Sequence, residues 1–513
     1  MAKTFLTKKN NAKSTITDNP LTSGATTLNV QSGDGVKFPA APFQATLYTT
    51  DAALGEIVKI TAKSTDAFTI VRAQEGTSAQ SWAQNAHLEL LVTAKLFDDF
   101  QTRTEIIVAT DGSGDYNCDG TADEVEINEA LSNLPSGGGV VLLKKGTYTI
   151  AGNINILKSN VVLRGEGKAT KITLANSTNV DMIQVGNGST IVNDCVVEDL
   201  TVDGNKANQT SLGAAIVLYG SSGTKALRNM VRGCRLTNCN LDCLKLIYAD
   251  KSIIENNIID ENTGGAGIGI FSSSQTNDII GNVLIHNSYG IYSNANYNNI
   301  SGNVIVDNTS YGVYINGVVN FSISGNWFGS IAYFQTGVYL AASAARNAIT
   351  GNTFYQPYRA IFGAADTNVI GNTISGNSIY LANQEAIYMQ AGANQNVIVG
   401  NTIRASAMHA IRIRGSKNVI SSNMLIDNGT GTNNTYSDIF LDDNGATYST
   451  YNTVIGNNCQ AAAANKVAYH IRENATGDDF NLVIGNVCKD GVTAQISLQG
   501  TNSVRGTNIP ATG

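Results

Sequence analysis

Three sets of residues in this 513-residue chain have the types and spacing that chemistry needs. In the first, Asp115, Asn117, Asp119, Thr121, Asp123 and Glu126 fall where a twelve-residue calcium loop places its ligands, with Gly120 at the turn. A simpler reading fits the same segment: a metal-free Gly-Asp turn, with Asp123 and Glu126 forming a capping box for a helix over residues 123–134. No helix leads into the loop, which favours the metal-free turn. Calcium is the one cofactor the sequence offers.

The second set could do acid/base work. The segments IIDEN, VLIHN and VIVDN, ending at Asn262, Asn287 and Asn308, place Asp260 (or Glu261), His286 and Asp307 at one position of successive repeats. If each repeat is one coil of a β-structure, Asp260 and Asp307 lie ~9.6 Å apart, two inter-coil spacings. That is near the upper end of the carboxylate separation in inverting glycosidases. Asp-Asn pairs are also ordinary turn formers, and MLIDN, ending at Asn428, repeats the pattern. A second acidic group, Asp438, Asp442, Asp443 and Glu473, lies beside the two longest repeats, where loops could wall a cleft.

The third set is a column: Tyr292, Tyr314, Tyr339, Phe362 and Tyr388, continued by Arg412, Phe440 and Arg472. Each follows an Ile or Val in a recurring motif (YGIYS, YGVYI, TGVYL), so strand alternation turns it outward. The same alternation makes the preceding outward residue small: Gly290, Gly312, Gly337, Ala360 and Ala386. Rings beside a strip of backbone would form a shallow groove. Sugars stack on such rings, and arginine clamps the carboxylates of an acidic polysaccharide. Two plainer readings stay open: a stabilising ladder on a sheet surface, and a strip buried against neighbouring chains.

These columns exist only if the chain repeats, and it does. Asn257, Asn282, Asn303, Asn326, Asn352, Asn372, Asn401, Asn423, Asn457 and Asn486 recur in segments such as IIGN, ISGN and ITGN. A period of ~20–30 residues with short β-branched runs marks a solenoid. Helical repeats are excluded because no apolar stripe of helical spacing is present, and leucine-rich repeats because leucine is sparse. The fold class is therefore all-β: a parallel β-helix of about 14 coils, ~70 Å long at the ~4.8 Å coil spacing. Stacked asparagines should line one turn.

Composition agrees. Charged residues are only 14%, prolines 6 and glycines 51, which suits tight turns between short strands rather than disorder. No apolar run is long enough to span a membrane, and a net charge of −7 argues against nucleic acid as a partner. The seven cysteines, Cys234, Cys239 and Cys243 clustered among them, have no histidine at zinc spacing and read as free thiols. Without an apolar leader at its start, the chain is expected to fold in a reducing cytoplasm.

The organisation expected is a β domain over 1–92, a helical neck over 93–104, a cap with one helix over 105–150, the β-helix over 151–505 and a tail over 506–513. In the first domain, strands are expected at Thr26–Val30, Phe43–Thr49, Glu56–Thr61 and Ala67–Val71.

The opening DGSGDYNCDGTADEVEINEAL, the run GGGVVLLKKGTYTI, then VVLRGEG and LTVDGN resemble the right-handed, single-stranded pectin-lyase-like β-helix superfamily and its NosD-like repeats. TTLNVQSGDGVKFP, GEIVKI and VRAQEGT, within residues 20–95, resemble N-terminal domains of phage virion proteins. Together they are similar to phage tailspikes and tail fibres. The resemblance implies a homotrimer located in the virion tail. It would be held to other tail or baseplate proteins through residues 1–92, assembled in the host cytoplasm, and would recognise a host-surface glycan. It leaves activity open. The polygalacturonase-like motifs are absent in order, since Arg412–Arg414 precedes Asp442–Asp443, and the pectate-lyase-like WIDH segment is missing. A polysaccharide depolymerase, hydrolase or lyase, and a purely structural tail or bacterial surface protein remain the alternatives.

Overall fold

A computed structural model describes residues 9, 11–52, 55–93, 105–210, 213–330, 335–443, 445–462 and 466–510. The expected neck falls almost wholly outside them. Two compact units divide the chain, Met1–Arg103 and Thr104–Gly513.

The first unit is a six-stranded antiparallel sheet. Its order is Lys13–Thr15, His87–Glu89, Phe43–Tyr48, Glu56–Ser64, Ala67–Gln74 and Thr27–Asn29. All four expected strands are present. Phe38, Phe43 and Phe68 pack with ring centroids 5.3 to 5.9 Å apart. Glu56 is fully buried there, and such a charge is tolerable only when paired. Arg72 grips both its oxygens (2.7 and 2.6 Å), and Trp82 Nε1 donates to it at 2.9 Å. Burial pushes this carboxyl's pKa up, but those donors outweigh it and leave it below the ordinary value.

The second unit is a parallel β-solenoid with one α-helix among the described residues, Glu124–Asn133. Each coil contributes one strand to each of three parallel sheets. Sheet I runs through 15 strands from Gly146–Ile150 to Ile509–Pro510. Sheet II has 14, from Ile154–Ile156 to Ala494–Ser497. Sheet III runs from Glu105–Ala109 and Gly139–Leu143 to Val504–Arg505. The coils thus begin inside the segment expected as a cap and continue past residue 505. Inward-facing Ile254, Ile279, Ile300, Ile323, Ile349 and Ile374 stack along sheet III, all fully buried. Each such side chain contributes about 1.5–3 kcal/mol.

The asparagines form ladders at more than one corner. Asn257, Asn282, Asn303, Asn326, Asn352, Asn377 and Asn401 each donate Nδ2 to the Oδ1 of the next, at 2.9 to 3.0 Å. The chain of amides continues through Asn423, Asn457, Asn486 and Asn508. Each Oδ1 also accepts a main-chain N–H, as Asn377 does from Asn352 at 3.0 Å. Asn372 is a correction to the expected single ladder. It belongs to another, Asn347, Asn372, Asn396, Asn418, Asn452 and Asn481. A buried main-chain amide must find an acceptor, and one carboxamide per coil and corner supplies it.

All seven cysteines are buried free thiols. No helix of the described residues is long and apolar enough to cross a membrane.

Candidate functional site

The outward face of sheet II carries the aromatic column in register. Tyr292, Tyr314, Tyr339, Phe362, Tyr388, Arg412, Phe440 and Arg472 are partners in successive pairings. Neighbouring rings are close: 5.4 Å for Tyr292–Tyr314, 5.0 Å for Tyr314–Tyr339 and 5.1 Å for Tyr339–Phe362.

Strict alternation fails beside this column, and the failure enlarges the site. In Tyr311–Asn316 both Gly312 and Val313 face inward, so Tyr311 and Tyr314 both face out. The expected strip of small outward residues is therefore corrected: Gly290, Gly312, Gly337, Ala360 and Ala386 are interior. The row beside the column is instead Tyr289, Tyr311 and Thr336. Tyr289 stacks on Tyr311 at 5.7 Å, and Tyr311 on Tyr339 at 4.9 Å. The i, i+3 tyrosines of SYGIYS and SYGVYI were the sequence signal for this second row. Burial, reinforced by Tyr339 and Tyr311, pushes the Tyr314 phenol up to about 12, so the face stays uncharged at neutral pH.

Beyond the rings lies a charged network. Arg359 binds Glu385 at 2.9 Å, Arg412 binds Glu385 at 2.7 Å and Asp442 at 2.6 Å, and Arg414 binds Asp442 at 2.6 Å. Arg359, Arg412 and Arg414 lie over the Tyr388 ring, which is buried beneath them, as Phe440 is beneath Arg412 and Arg472. Burial raises the Glu385 pKa, but Arg359 and Arg412 outweigh it and hold the carboxyl below its ordinary value. Arg412 is thus already engaged, whereas Arg472 makes no ion pair among the described residues and lies over Phe440 and Tyr469. His409 completes the group: it stacks on Phe440 at 4.5 Å and its Nδ1 accepts from Ser437 N–H at 2.9 Å. Burial, with Arg412 adding, lowers its pKa to about 4, so the ring is neutral near neutrality.

The acid/base column is out of register by one residue. Asp260 pairs with Ile285 inside sheet I, so Glu261, not Asp260, lines up with His286 and Asp307. Glu261 Oε1 meets His286 Nδ1 at 2.8 Å. Asp260 instead holds Arg235 at 2.9 Å. Glu261, His286, Asp307, Gln356, Leu381 and Ala405 share left-handed φ values of 48° to 60°. This turn imposes a backbone conformation on varied residues, not a carboxylate column.

The second acidic group divides. Asp438 is buried against His470 at 2.5 Å and Asn428 at 2.8 Å. Asp442 belongs to the arginine network, and Asp443 accepts from Asn474 Nδ2 at 2.9 Å. Glu473 is buried and accepts from Gln499 N, Gly500 N, Ser503 Oγ and Asn481 Nδ2 at 2.6 to 2.9 Å.

In the Asp115–Glu126 loop, side-chain oxygens serve main-chain amides. Asp115 accepts from Ile107 N, Asn117 from Gly114 N and Asp119 from Thr121 N, at 2.9 to 3.0 Å. Asp123 accepts from Gly120 N at 2.9 Å and Thr149 N at 2.6 Å, tying the loop to the first strand of sheet I. The expected capping box is corrected, because Asp123 makes no side-chain cap bond to the helix. Its carboxylate and that of Glu126 gather with Cys118, within 4.8 Å of one another, without Asp115 or Asp119.

Comparison with known proteins bears on the fold. No curated protein matches the chain. Among solved structures, the A-module of the mannuronan C-5 epimerase AlgE6 of Azotobacter vinelandii is 19% identical, covering 77% of this chain and 97% of its own, with a TM-score of 0.42. The catalytic unit of a GH87 α-1,3-glucanase from Streptomyces thermodiastaticus is 14% identical over 96% of this chain and 91% of its own, TM-score 0.46. The Dettilon tailspike protein is 14% identical over 76% of this chain and 68% of its own, TM-score 0.42. The family model described as "Right handed beta helix region" matches residues 159–328 and 311–476. These overlapping matches take in more than half of the sequence, and the chain belongs to the right-handed parallel β-helix family.

Proposed function

We propose that the chain is a bacteriophage tail appendage that binds a host-surface polysaccharide along the outer face of sheet II. The observation that carries this reading is the double row of half-buried rings, Tyr289 and Tyr311 beside Tyr292, Tyr314, Tyr339 and Phe362, in register over successive coils. An uncharged aromatic field suits the C–H faces of sugars, and Arg472, at one end of the column, suits a carboxylate or sulfate. On this reading residues 1–92 attach the protein to other virion tail or baseplate proteins. The working form is a homotrimer assembled in the host cytoplasm and carried in the virion tail.

A depolymerase is the second reading. Glu385 and Asp442 both bind Arg412 beside the neutral His409, so acidic, basic and neutral titratable groups meet here on this face.

Incubating the protein with host capsule or lipopolysaccharide tests both. Retention of intact chains supports the binder, shortened chains the depolymerase, and neither overturns the glycan reading. Replacing Tyr314 and Tyr339 together with serine should abolish retention while leaving the oligomer intact. Dissociation of the oligomer instead would assign these rings to a subunit interface.

A further inference from the structure

Along the solenoid interior, an inward column of sheet II is made of the smallest residues. A Cβ added to Gly267, Gly290, Gly312 or Gly337 would meet Leu284, Ile305, Phe328 or Phe354 of sheet I, at 2.5 to 3.0 Å. Ala360, Ala386 and Ala410 continue the column, fully buried. Small residues on one side thus match large ones on the other.

Near the C-terminal end of the solenoid this match is abandoned. The pairing of Ser437 with Tyr469 and of Ile439 with Ile471 puts Asp438 and then His470 in the small-residue column. The pairing of Leu425 with Cys459 and of Cys459 with Cys488 puts two thiols in the large-residue column. All four side chains are at most 1% exposed. The ligand atoms of Asp438, Cys459 and His470 lie within 4.8 Å of one another, and Cys488 is the strand partner of Cys459 on the next coil.

We propose that Asp438, Cys459, His470 and Cys488 form a closed structural zinc site between adjacent coils. One oxygen, one nitrogen and two sulfurs are a ligand set for tetrahedral Zn²⁺, and thiolates disfavour calcium and magnesium. The supporting contacts are those that orient metal ligands. His470 Nε2 donates to the Lys489 carbonyl at 2.6 Å, which turns Nδ1 toward Asp438 and Cys459. Asn428 Nδ2 donates to Asp438 Oδ1 at 2.8 Å, leaving Oδ2 for the site. Binding would displace both thiol protons and the proton between Asp438 Oδ2 and His470 Nδ1. Complete burial makes the site structural, with no open position for a reacting water.

The test is to refold the full chain under reducing conditions with Zn²⁺, remove the excess, and measure bound metal. Co²⁺ is loaded in parallel as a spectroscopic probe. One equivalent of zinc per chain is expected, with thiolate-to-cobalt charge transfer and tetrahedral ligand-field bands. The C459A/C488A variant should lose both signals and the zinc-dependent rise in melting temperature; C234A/C239A should keep them. Should C459A/C488A not fold, the isosteric Asp438→Asn variant should release zinc to a chelator far faster than the wild type. The proposal is overturned if the refolded wild type holds no stoichiometric metal, if C459A/C488A holds as much, if Asp438→Asn releases zinc no faster, or if Cys459 and Cys488 are joined as a disulfide.

Discussion

Gly312 lies against Phe328: a Cβ on this glycine would come within 2.8 Å of the ring's Cδ1 and 2.6 Å of the Gly337 carbonyl oxygen. One coil on, Gly337 meets Phe354 and the Ala360 carbonyl at 2.5 and 2.6 Å. Further along, the phenylalanine gives way to Ile379 and Ile403, and alanine replaces glycine.

Gly337→Ala should therefore cost about 1–3 kcal/mol, the usual penalty of overpacking, because parallel pairing on both sides prevents the strand from retreating. Denaturant titration would measure it. The double variant Gly337→Ala/Phe354→Ile should recover most of the loss. Failure of that rescue would mean the backbone contact, not the ring, sets the cost.

Asn377→Ala should be costly in a specific way. It removes the acceptor of the Asn352 N–H and Nδ2 and the donor to Ile349 O. Buried amides left unpaired cost about 1–3 kcal/mol each. In double-mutant cycles, Asn377 should couple to Asn401 but add independently to Asn372, with which it shares no ladder.

The two arginines at the end of the aromatic column should behave oppositely. Arg412→Ala takes one of two guanidinium partners from each of the buried carboxylates Glu385 and Asp442, leaving them to Arg359 and Arg414, and should cost about 1.5–3 kcal/mol. Arg472→Ala breaks no ion pair of the described residues and should leave the melting temperature nearly unchanged, while weakening retention of an acidic polysaccharide. Equal melting temperatures for both variants would contradict the network described.

Acid should weaken the solenoid through His409. The folded chain keeps this ring neutral down to about pH 4, whereas the unfolded chain protonates it near the ordinary histidine value of 6.5. Between these values the unfolded state binds more protons, so stability is full above 6.5 and is lost as pH falls toward 4. The loss is about 3 kcal/mol. Arg412 deepens the shift, while Glu385 and Asp442 oppose it. Glu385, held below its ordinary value, withdraws its own contribution only at lower pH. Urea melts at pH 7.5 and 5 should show the difference, and His409→Gln should shrink it.

The solenoid and the column from Tyr292 to Arg472 are legible because inward Ile and Val recur with a simple period. Offsets of one residue are not legible in the sequence. The sequence offers Asp260 or Glu261 for the column because a strand end and a turn look alike in IIDEN, and the strand pairing assigns the turn to Glu261. Asn372 and Asn377 both follow glycine, at Gly371 and Gly376, so the motif alone could not separate two corners. The inward pairs such as Gly312 and Val313 break period-two alternation, which hid Tyr289 and Tyr311. The network of Arg359, Glu385, Arg412 and Asp442 joins residues up to 30 positions apart in neighbouring sequence repeats, with no shared motif to announce it.

The in-register rings have a consequence for how a long ligand would be held. From Tyr292 to Phe362 the face repeats about every 4.8 Å, so sliding an extended polymer by one coil returns it to nearly the same surroundings. Such a surface has translational degeneracy: a polymer longer than the field can occupy many equivalent registers, and a short oligomer few. Affinity should then climb with chain length even after every ring is covered, through the count of registers alone. The ligand could diffuse along the rod without letting go, until the break in periodicity at Tyr388 and Arg412 stops it.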